Sequence, residues 1–287
     1  VKFPFEVNLS PASIHAVVSR ALKEDIGSGD ITTLATVAAR ARAVALLRLK
    51  SDGVIAGLPV LKATFESLDP STEVALAAED GERHLAGFEL ARIRGRARSI
   101  LSAERVALNF LQHLSGIATL TRRFVDEVAG TGVRIVDTRK TVPGLRRLDK
   151  YAVRMGGGFN HRPRLSDMAL IKDNHIKAAG GIARAVSRVR RTRPDVIVEV
   201  EVGPDTNLTE LKGLDIDIVM LDNWPLGRLK RGVAAVRGLP ARPAVEVSGN
   251  VRLENVRRMA VCGPDFISVG LVTHSSPSLD ISLDFLG

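Results

Sequence analysis

From Val133 onward the chain changes rhythm, and that change limits the fold more than any other feature. Six short apolar segments, "VRIVDT", "ALIKDN", "VIVEVEV", "IDIVMLDN", "AVEVSGN" and "FISVG", alternate with stretches of helical periodicity around Leu145–Met155, Ile182–Arg193, Asn207–Lys212, Leu226–Val236 and Leu253–Val261. Such alternation means parallel strands joined by right-handed crossovers. Polar residues gather where each strand ends: Arg139 and Lys140; Lys172, Asp173 and Asn174; Glu199 and Glu201; Asp222 and Asn223; Glu246, Ser248 and Asn250. In a β/α barrel those ends ring one mouth, whereas in an open doubly wound sheet fewer of them border a single crevice. The expected fold class is therefore α/β with a parallel β/α barrel, smaller than the eight-stranded form.

The first hundred residues are built differently. "PASIHAVVSRALKEDIG" carries helical spacing through Ile14, Val17, Val18 and Leu22. Asp52-Gly53 and Asp80-Gly81 sit between apolar segments and predict β-hairpin turns. A long helical pattern starts near Ala103 and runs to about Val128, with Ser102 as the expected N-cap. The tail "SLDISLDF" alternates Leu279, Ile281, Leu283 and Phe285 with Asp280, Ser282 and Asp284, the pattern of a half-buried strand. This predicts an N-terminal α/β sandwich domain over residues 1–112 and a catalytic barrel over 113–274. Residues 275–287 are expected to return to the first domain's sheet.

The barrel mouth is rich in cations. Arg139, Lys140 and Lys172 lie at strand ends, and "GGGFNHR" adds His161 and Arg162. Crowded cations in a concave site call for anions: Arg matches a planar carboxylate, and Lys serves phosphate as a point charge. Three glycines, Gly156 to Gly158, exceed a helix end's need for one and predict a close backbone approach to a ligand or a neighbouring segment. Glu201 and Asp222 at neighbouring strand ends suit a hard divalent cation, or else an internal salt bridge to Lys172. Ser248, Gly249 and Gly270 lie in turns whose backbone N–H groups suit phosphate, or are ordinary tight turns. The net charge of +9 favours anionic partners in general. The single cysteine, Cys262, excludes a disulfide framework and reads as a small core residue at a helix end. No apolar run approaches the ~18 residues of a membrane span, and the expectation is a soluble, cytoplasmic protein.

These residues carry a family resemblance. "DTRKTVPGLRRLDKYAVRMGGGFNHRPRLSDMALIKDNH" resembles the core of the quinolinate phosphoribosyltransferases, and "EDIGSGDITT", "ERVALNFLQHLSGIAT", "EVEV", "IVMLDN", "EVSGN" and "SVGLVTHS" follow in the family's order. The resemblance implies an N-terminal open-faced α/β sandwich and a six- or seven-stranded partial barrel, in a homodimer or a larger assembly built from it. It implies transfer of phosphoribosyl from phosphoribosyl pyrophosphate to quinolinate, with Mg²⁺, giving nicotinate mononucleotide, pyrophosphate and carbon dioxide. It assigns Arg139, His161, Arg162 and Lys172, with Thr138 nearby, to quinolinate, and brings Arg105 from the neighbouring subunit. It gives Lys140, Lys172 and His274 to the pyrophosphate end, Glu201 and Asp222 to ribose hydroxyls and Mg²⁺, and Ser248, Gly249 and Gly270 to the 5′-phosphate. Leu271 stands where the family often has Ala. A related family linked to molybdenum transport shares the fold; the intact "DTRKT" and "GGGFNHR" runs favour the quinolinate enzymes.

Two other readings compete. A barrel aldolase would use Lys172 as a Schiff-base nucleophile, but this leaves Arg139, Arg162 and the acids without a common purpose. An RNA-binding protein would exploit the basic charge and "SRVRRTR", but aromatic residues are only 4% of the chain, leaving few stacking platforms. Neither nucleic acid nor membrane is the expected partner.

Overall fold

The structure is a computed structural model describing residues 3–286. The chain folds into two compact units. The first comprises Val7–Arg122, Val142–Gly157 and the chain from Ser275; the second comprises the segment before Val7, Arg123–Thr141 and Gly158–His274.

In the first unit, helix α1 (Pro11–Ile26) opens with a Ser10–Ser13 capping box and Pro11, and it buries Ile14, Val18 and Leu22. Helix α2 (Ile31–Thr36) is capped by Asp30, which accepts from the Thr33 N–H. The strands are β1 (Arg42–Leu49), β2 (Gly53–Val54), β3 (Glu73–Leu76), β4 (Arg83–His84) and β5 (Glu89–Arg96). The C-terminal strand Ile281–Leu286, β1, β5 and β3 form an antiparallel sheet in that order. Ile281 and Leu283 pair with Leu49 and Leu47, so part of the tail's apolar face enters the core. Phe285, on the same face by alternation, remains 39% exposed. Helix α3 (Leu58–Leu68) contributes Leu61 and Phe65 to a core shared with Leu90, Ile93 and Ile100.

The two Asp-Gly pairs are not hairpin turns between paired strands. The segment beyond Asp52-Gly53 pairs with β4 rather than turning back on β1, and β3 pairs with β5 across the Asp80-Gly81 region. Asp80 instead caps α3 from a distance: its carboxylate accepts from the Gly57 and Leu58 N–H groups at 2.9 and 3.0 Å and from the Tyr151 hydroxyl at 2.7 Å. A short acidic side chain suits either role, and only long-range packing selects one.

Helix α4 (Ala97–Glu127) begins six residues before Ala103, so Ser102 lies inside it and is not an N-cap. The Ser102 hydroxyl donates to Asp30 Oδ2 at 3.0 Å. Arg105 is more than two turns into the helix, away from the first-turn dipole, and is exposed. The division between the units falls inside α4, at Arg122–Arg123. Helix α5 (Arg146–Met155) follows the first barrel strand in sequence yet belongs to the first unit. There its buried Asp149 accepts from His113 Nε2 at 2.9 Å and from the Val142 N–H at 3.0 Å. Gly156 lies against α4, where a Cβ would stand 2.5 Å from the Ala118 carbonyl oxygen. This glycine therefore serves a neighbouring segment rather than a ligand.

The second unit holds six parallel strands: β6 (Arg134–Val136), β7 (Ala169–Ile171), β8 (Val198–Val202), β9 (Ile218–Asp222), β10 (Ala244–Ser248) and β11 (Phe266–Ser268). Their order is β6-β11-β10-β9-β8-β7, an open six-stranded sheet in which β6 and β7 are the edges. The partial barrel expected from the strand count is what forms. At the β6 edge, Phe159 takes a strand's place: its N–H donates to the Ile135 carbonyl, and its carbonyl accepts from the Asp137 N–H. Helices α6 (Asp173–Ala179), α7 (Ile182–Thr192), α8 (Leu226–Arg237), α9 (Leu253–Ala260) and α10 (Leu271–His274) cover the crossovers. The stretch 207–212 forms a 3₁₀ turn, Leu208–Leu211, while α6 and α10 are too short to show a sequence period. Cys262 follows α9 and is partly exposed. No described helix is long and apolar enough to cross a membrane.

Candidate active site

The strand ends of the second unit surround a cavity of about 570 Å³. Thr138, Arg139 and Lys140 reach it from the β6 end, His161 and Arg162 from the loop before β7, and Lys172 from the β7 end. Glu201, Asp222 and Ser248 come from β8, β9 and β10, followed by Gly249. A smaller cavity of about 200 Å³ shares Thr138, Lys140, Ser248 and Gly249 and adds Gly270, Leu271 and His274. The structure thus brings together every site residue expected from the sequence except Arg105, which is in the first unit and lines neither cavity. Leu271 lines the smaller cavity.

The cations are arranged to receive an anion. Arg162 is only 6% exposed and donates to the Met168 carbonyl at 2.9 Å. Burial first, and the neighbouring positive charge of Arg139 second, hold its guanidinium below its ordinary pKa. Arg139 has its Nε–H buried without a partner. Two guanidiniums that repel, one with an unmet donor, are relieved by a carboxylate. Lys172 forms an ion pair with Glu201 Oε2. Its side chain is 44% exposed. A half-exposed, ion-paired ammonium is not the desolvated amine a Schiff-base mechanism needs.

Beneath the cations lies a floor of buried acid. The alternation that turns Glu201 toward the cavity turns Glu199 the same way, and Glu246 precedes Ser248 on one face of β10. Glu199 and Glu246 are both fully buried. Burial, against the opposing pull of nearby cations, pushes each carboxyl up to about 8. The Glu199 carboxylate adds to the rise at Glu246, and the Glu201 carboxylate adds to the rise at Glu199, because neighbouring carboxylates cannot all ionise cheaply. Both Glu246 oxygens, Glu199 Oε1 and Ser268 Oγ have no hydrogen-bond partner.

His161 ties this floor to the cationic rim. Its Nδ1 accepts from the Arg162 N–H at 2.8 Å, so the neutral ring carries its proton on Nε2 and donates to Glu199 at 2.9 Å. Glu246 Oε2 stands 3.6 Å from the same nitrogen. Ligand-type atoms of His161, Glu199 and Glu246 lie within 4.8 Å of one another, the spacing of a metal site. The tautomer argues against one there, since neither ring nitrogen keeps a free lone pair. Buried Asp137 holds the loop by accepting from the His161 N–H at 2.8 Å and from Asn160 Nδ2 at 2.7 Å. His161 is therefore built into the wall by both ring nitrogens, a role that its place in "NHR" does not reveal.

The rim acids suit a hard cation better. Glu201 and Asp222 line the same cavity and are less buried than the floor pair, and oxygen donors of this kind suit Mg²⁺ alongside substrate phosphates. Glu201 also makes the salt bridge to Lys172 that competes with this role. Asn223, Glu246, Asn250 and Ser268 join the cavity without having been singled out as site residues. The period-2 alternation was the available signal for Glu246; nothing local marked Ser268.

A partial β/α barrel whose strand ends hold convergent cations above acids is the frame of a protein that binds small polyanions. Models of the N-terminal and C-terminal domains of quinolinate phosphoribosyl transferase match residues 30–115 and 117–284, and the chain belongs to that family. The nicotinate-nucleotide pyrophosphorylase (carboxylating) of Mycobacterium leprae is 43% identical over 272 residues, covering 93% of this chain and 95% of the relative. The chloroplastic enzyme of the same name from Arabidopsis thaliana is 42% identical, covering 94% and 82% respectively. The solved structure of the nicotinate-nucleotide pyrophosphorylase from Francisella tularensis superposes with a TM-score of 0.93 at 37% identity, covering 99% of this chain and all of that one.

Proposed function

We propose that this chain transfers phosphoribosyl from phosphoribosyl pyrophosphate to quinolinate, releasing pyrophosphate and carbon dioxide and forming nicotinate mononucleotide. The observation that carries the reading is the Arg139–Arg162 pair, whose mutual repulsion and unmet Nε–H call for a planar carboxylate. Quinolinate supplies two carboxylates, and family membership supplies the co-substrate.

In this reading Arg139, Arg162 and Lys172, with Thr138, orient quinolinate, and His161 holds Arg162 in place. Lys140, Lys172 and His274 receive the pyrophosphate end. Ser248, Gly249 and Gly270 cradle the 5′-phosphate, and Glu201 and Asp222 face the ribose. The pyridine nitrogen forms a bond to ribose C1 as the C1–oxygen bond breaks and its electron pair leaves with pyrophosphate. Lys140 and Lys172 stabilise the charge gathering on that leaving group. The pyridinium then accepts the electron pair of the breaking C2–carboxylate bond, carbon dioxide departs, and a proton fills C2. Mg²⁺, held by Glu201 and Asp222, would neutralise phosphate charge when bound. Orientation of two charged substrates in one cavity contributes much of the remaining rate.

The reading includes a homodimer in which Arg105 of one copy completes the other copy's quinolinate site. Its support is that Arg105 is exposed and lines neither cavity of its own chain. It also includes a cytoplasmic setting, where strongly charged phosphoribosyl substrates are retained by the membrane. The test is to incubate the protein with phosphoribosyl pyrophosphate, Mg²⁺ and quinolinate, with nicotinate as the control acceptor. Carbon dioxide and nicotinate mononucleotide from quinolinate are expected; equal turnover of nicotinate refutes the assignment.

A further inference from the structure

We infer that Asn223 is a positioning residue that locks Asp222 to the Ser248–Gly249–Asn250 turn, so that the ribose-facing carboxylate and the phosphate cradle form one preorganised unit. This rests on the subsite roles proposed above and adds a residue to them.

The geometry comes from two turns that mesh. Asn223 and Asn250 both have positive φ, 56° and 50°, directly after the β9 carboxylate and within the β10 turn. Asn tolerates this left-handed conformation better than most residues with a side chain. The Asn223 N–H donates to the Ser248 carbonyl at 2.9 Å, carrying the β9–β10 ladder one step beyond its last pair. The Asn223 amide then packs against Gly249, where a Cβ would stand 2.2 Å from Oδ1, so no larger residue fits there.

That amide bridges two subsites. Its Nδ2 donates to Asp222 Oδ2 at 2.7 Å, and its Oδ1 accepts from Asn250 Nδ2 at 3.1 Å. The orientation follows from chemistry: an ionised carboxylate only accepts, so the amide nitrogen must face Asp222. This bond fixes how the Asp222 carboxylate is turned while leaving lone pairs on both of its oxygens for a ligand. Asn250 is fixed in turn, because its carbonyl accepts from Asn255 Nδ2 at 2.9 Å and Asn255 Oδ1 accepts from the Arg252 N–H at 2.8 Å. A chain of amides thus runs from the start of α9, through the phosphate turn, to the rim acid. Asn223 is exposed, so these bonds do little for stability; their value lies in fixing where the carboxylate and turn stand before substrate arrives.

The test separates side chain from backbone and binding from turnover. Asn223→Gly keeps positive φ available and removes only the amide. Calorimetric binding of phosphoribosyl pyrophosphate with Mg²⁺, without quinolinate, is expected to weaken about 10-fold, the scale of one lost hydrogen-bonded link. The melting temperature and the KM for quinolinate are expected to hold. Asn250→Gly, which leaves the Asp222 contact, is expected to lose less. Asn223→Asp sets a carboxylate beside Asp222 and is expected to lose more. Unchanged phosphoribosyl pyrophosphate binding in Asn223→Gly, alongside weakened binding in Asp222→Ala, overturns this inference alone. Unchanged binding in both overturns the subsite reading and the inference with it.

Discussion

The rim and the floor of the barrel cavity use the same residue type to opposite ends. Glu201 and Asp222 stand at the rim, partly open to water, one paired with Lys172 and the other with Asn223. Glu199 and Glu246 lie one pleat deeper, fully buried, with three of their four carboxylate oxygens making no hydrogen bond. The rim acids suit the task of holding charged groups, while the floor acids favour the neutral form near pH 7. Two residues along a strand move a side chain about 6–7 Å, and at a cavity wall that is enough to change the effective dielectric. The role of a carboxylate here is set by depth rather than by identity.

The largest effect expected tests the rim. Arg139→Ala removes half of the guanidinium pair and should reduce kcat/KM for quinolinate by about 2–5 kcal/mol, the cost of truncating one partner of a charged, hydrogen-bonded pair. Loss of the 2-carboxylate, as in nicotinate, should carry a penalty of the same size for the native enzyme. Steady-state kinetics with both acceptors decide the matter, and an Arg139→Ala enzyme that still handles quinolinate normally would remove the rim from the reading.

A second prediction asks whether one chain's rim is complete. Arg105→Ala and Arg139→Ala, each impaired alone, are mixed under subunit exchange. If Arg105 acts across a dimer, each mixed dimer holds one site with both arginines, and activity should rise to roughly half the native value per mixed dimer. Verified mixed dimers without recovery would place Arg105 in its own chain's chemistry or outside the chemistry altogether.

The last effect concerns the floor and is read as stability. Burial pushes the Glu246 carboxyl up to about 8 in the folded protein, well above the ordinary glutamate range. The folded state therefore keeps a proton that the unfolded chain releases. The native protein should lose stability as pH rises from the ordinary glutamate range through 8, by at most about 1.4 kcal/mol per pH unit. Glu246→Gln removes this linkage, so its melting temperature relative to native should climb across that window and level off above it. A constant difference at every pH would mean that Glu246 is ionised in the fold and that floor and rim are not electrostatically distinct.

Much of the cavity was legible before the fold because its residues are local in sequence. Arg139, Lys140, Lys172, Asp222 and Ser248 each follow or end an apolar strand, and parallel strands align such positions at one mouth without further information. Period-2 alternation likewise announced that Glu199 and Glu201 share a face. What was not legible depends on partners far along the chain. Asp80-Gly81 has the composition of a turn, yet Asp80 caps α3 from 22 residues away. Ser102 reads as a cap only while the helix is thought to start beside it; α4 begins at Ala97, and the hydroxyl turns to Asp30.

The sequence alone determined the alternation of strand and helix, the parallel sheet that follows from it, and the ring of cations at the strand ends, because each depends on covalent neighbours and a fixed side-chain period. The tertiary structure decided which unit owns α5, that His161 spends both ring nitrogens inside the wall, and that two of the four inward acids are held toward neutrality. Those outcomes depend on desolvation and hydrogen-bond partners supplied by distant segments, and no window of sequence contains both sides of such an interaction.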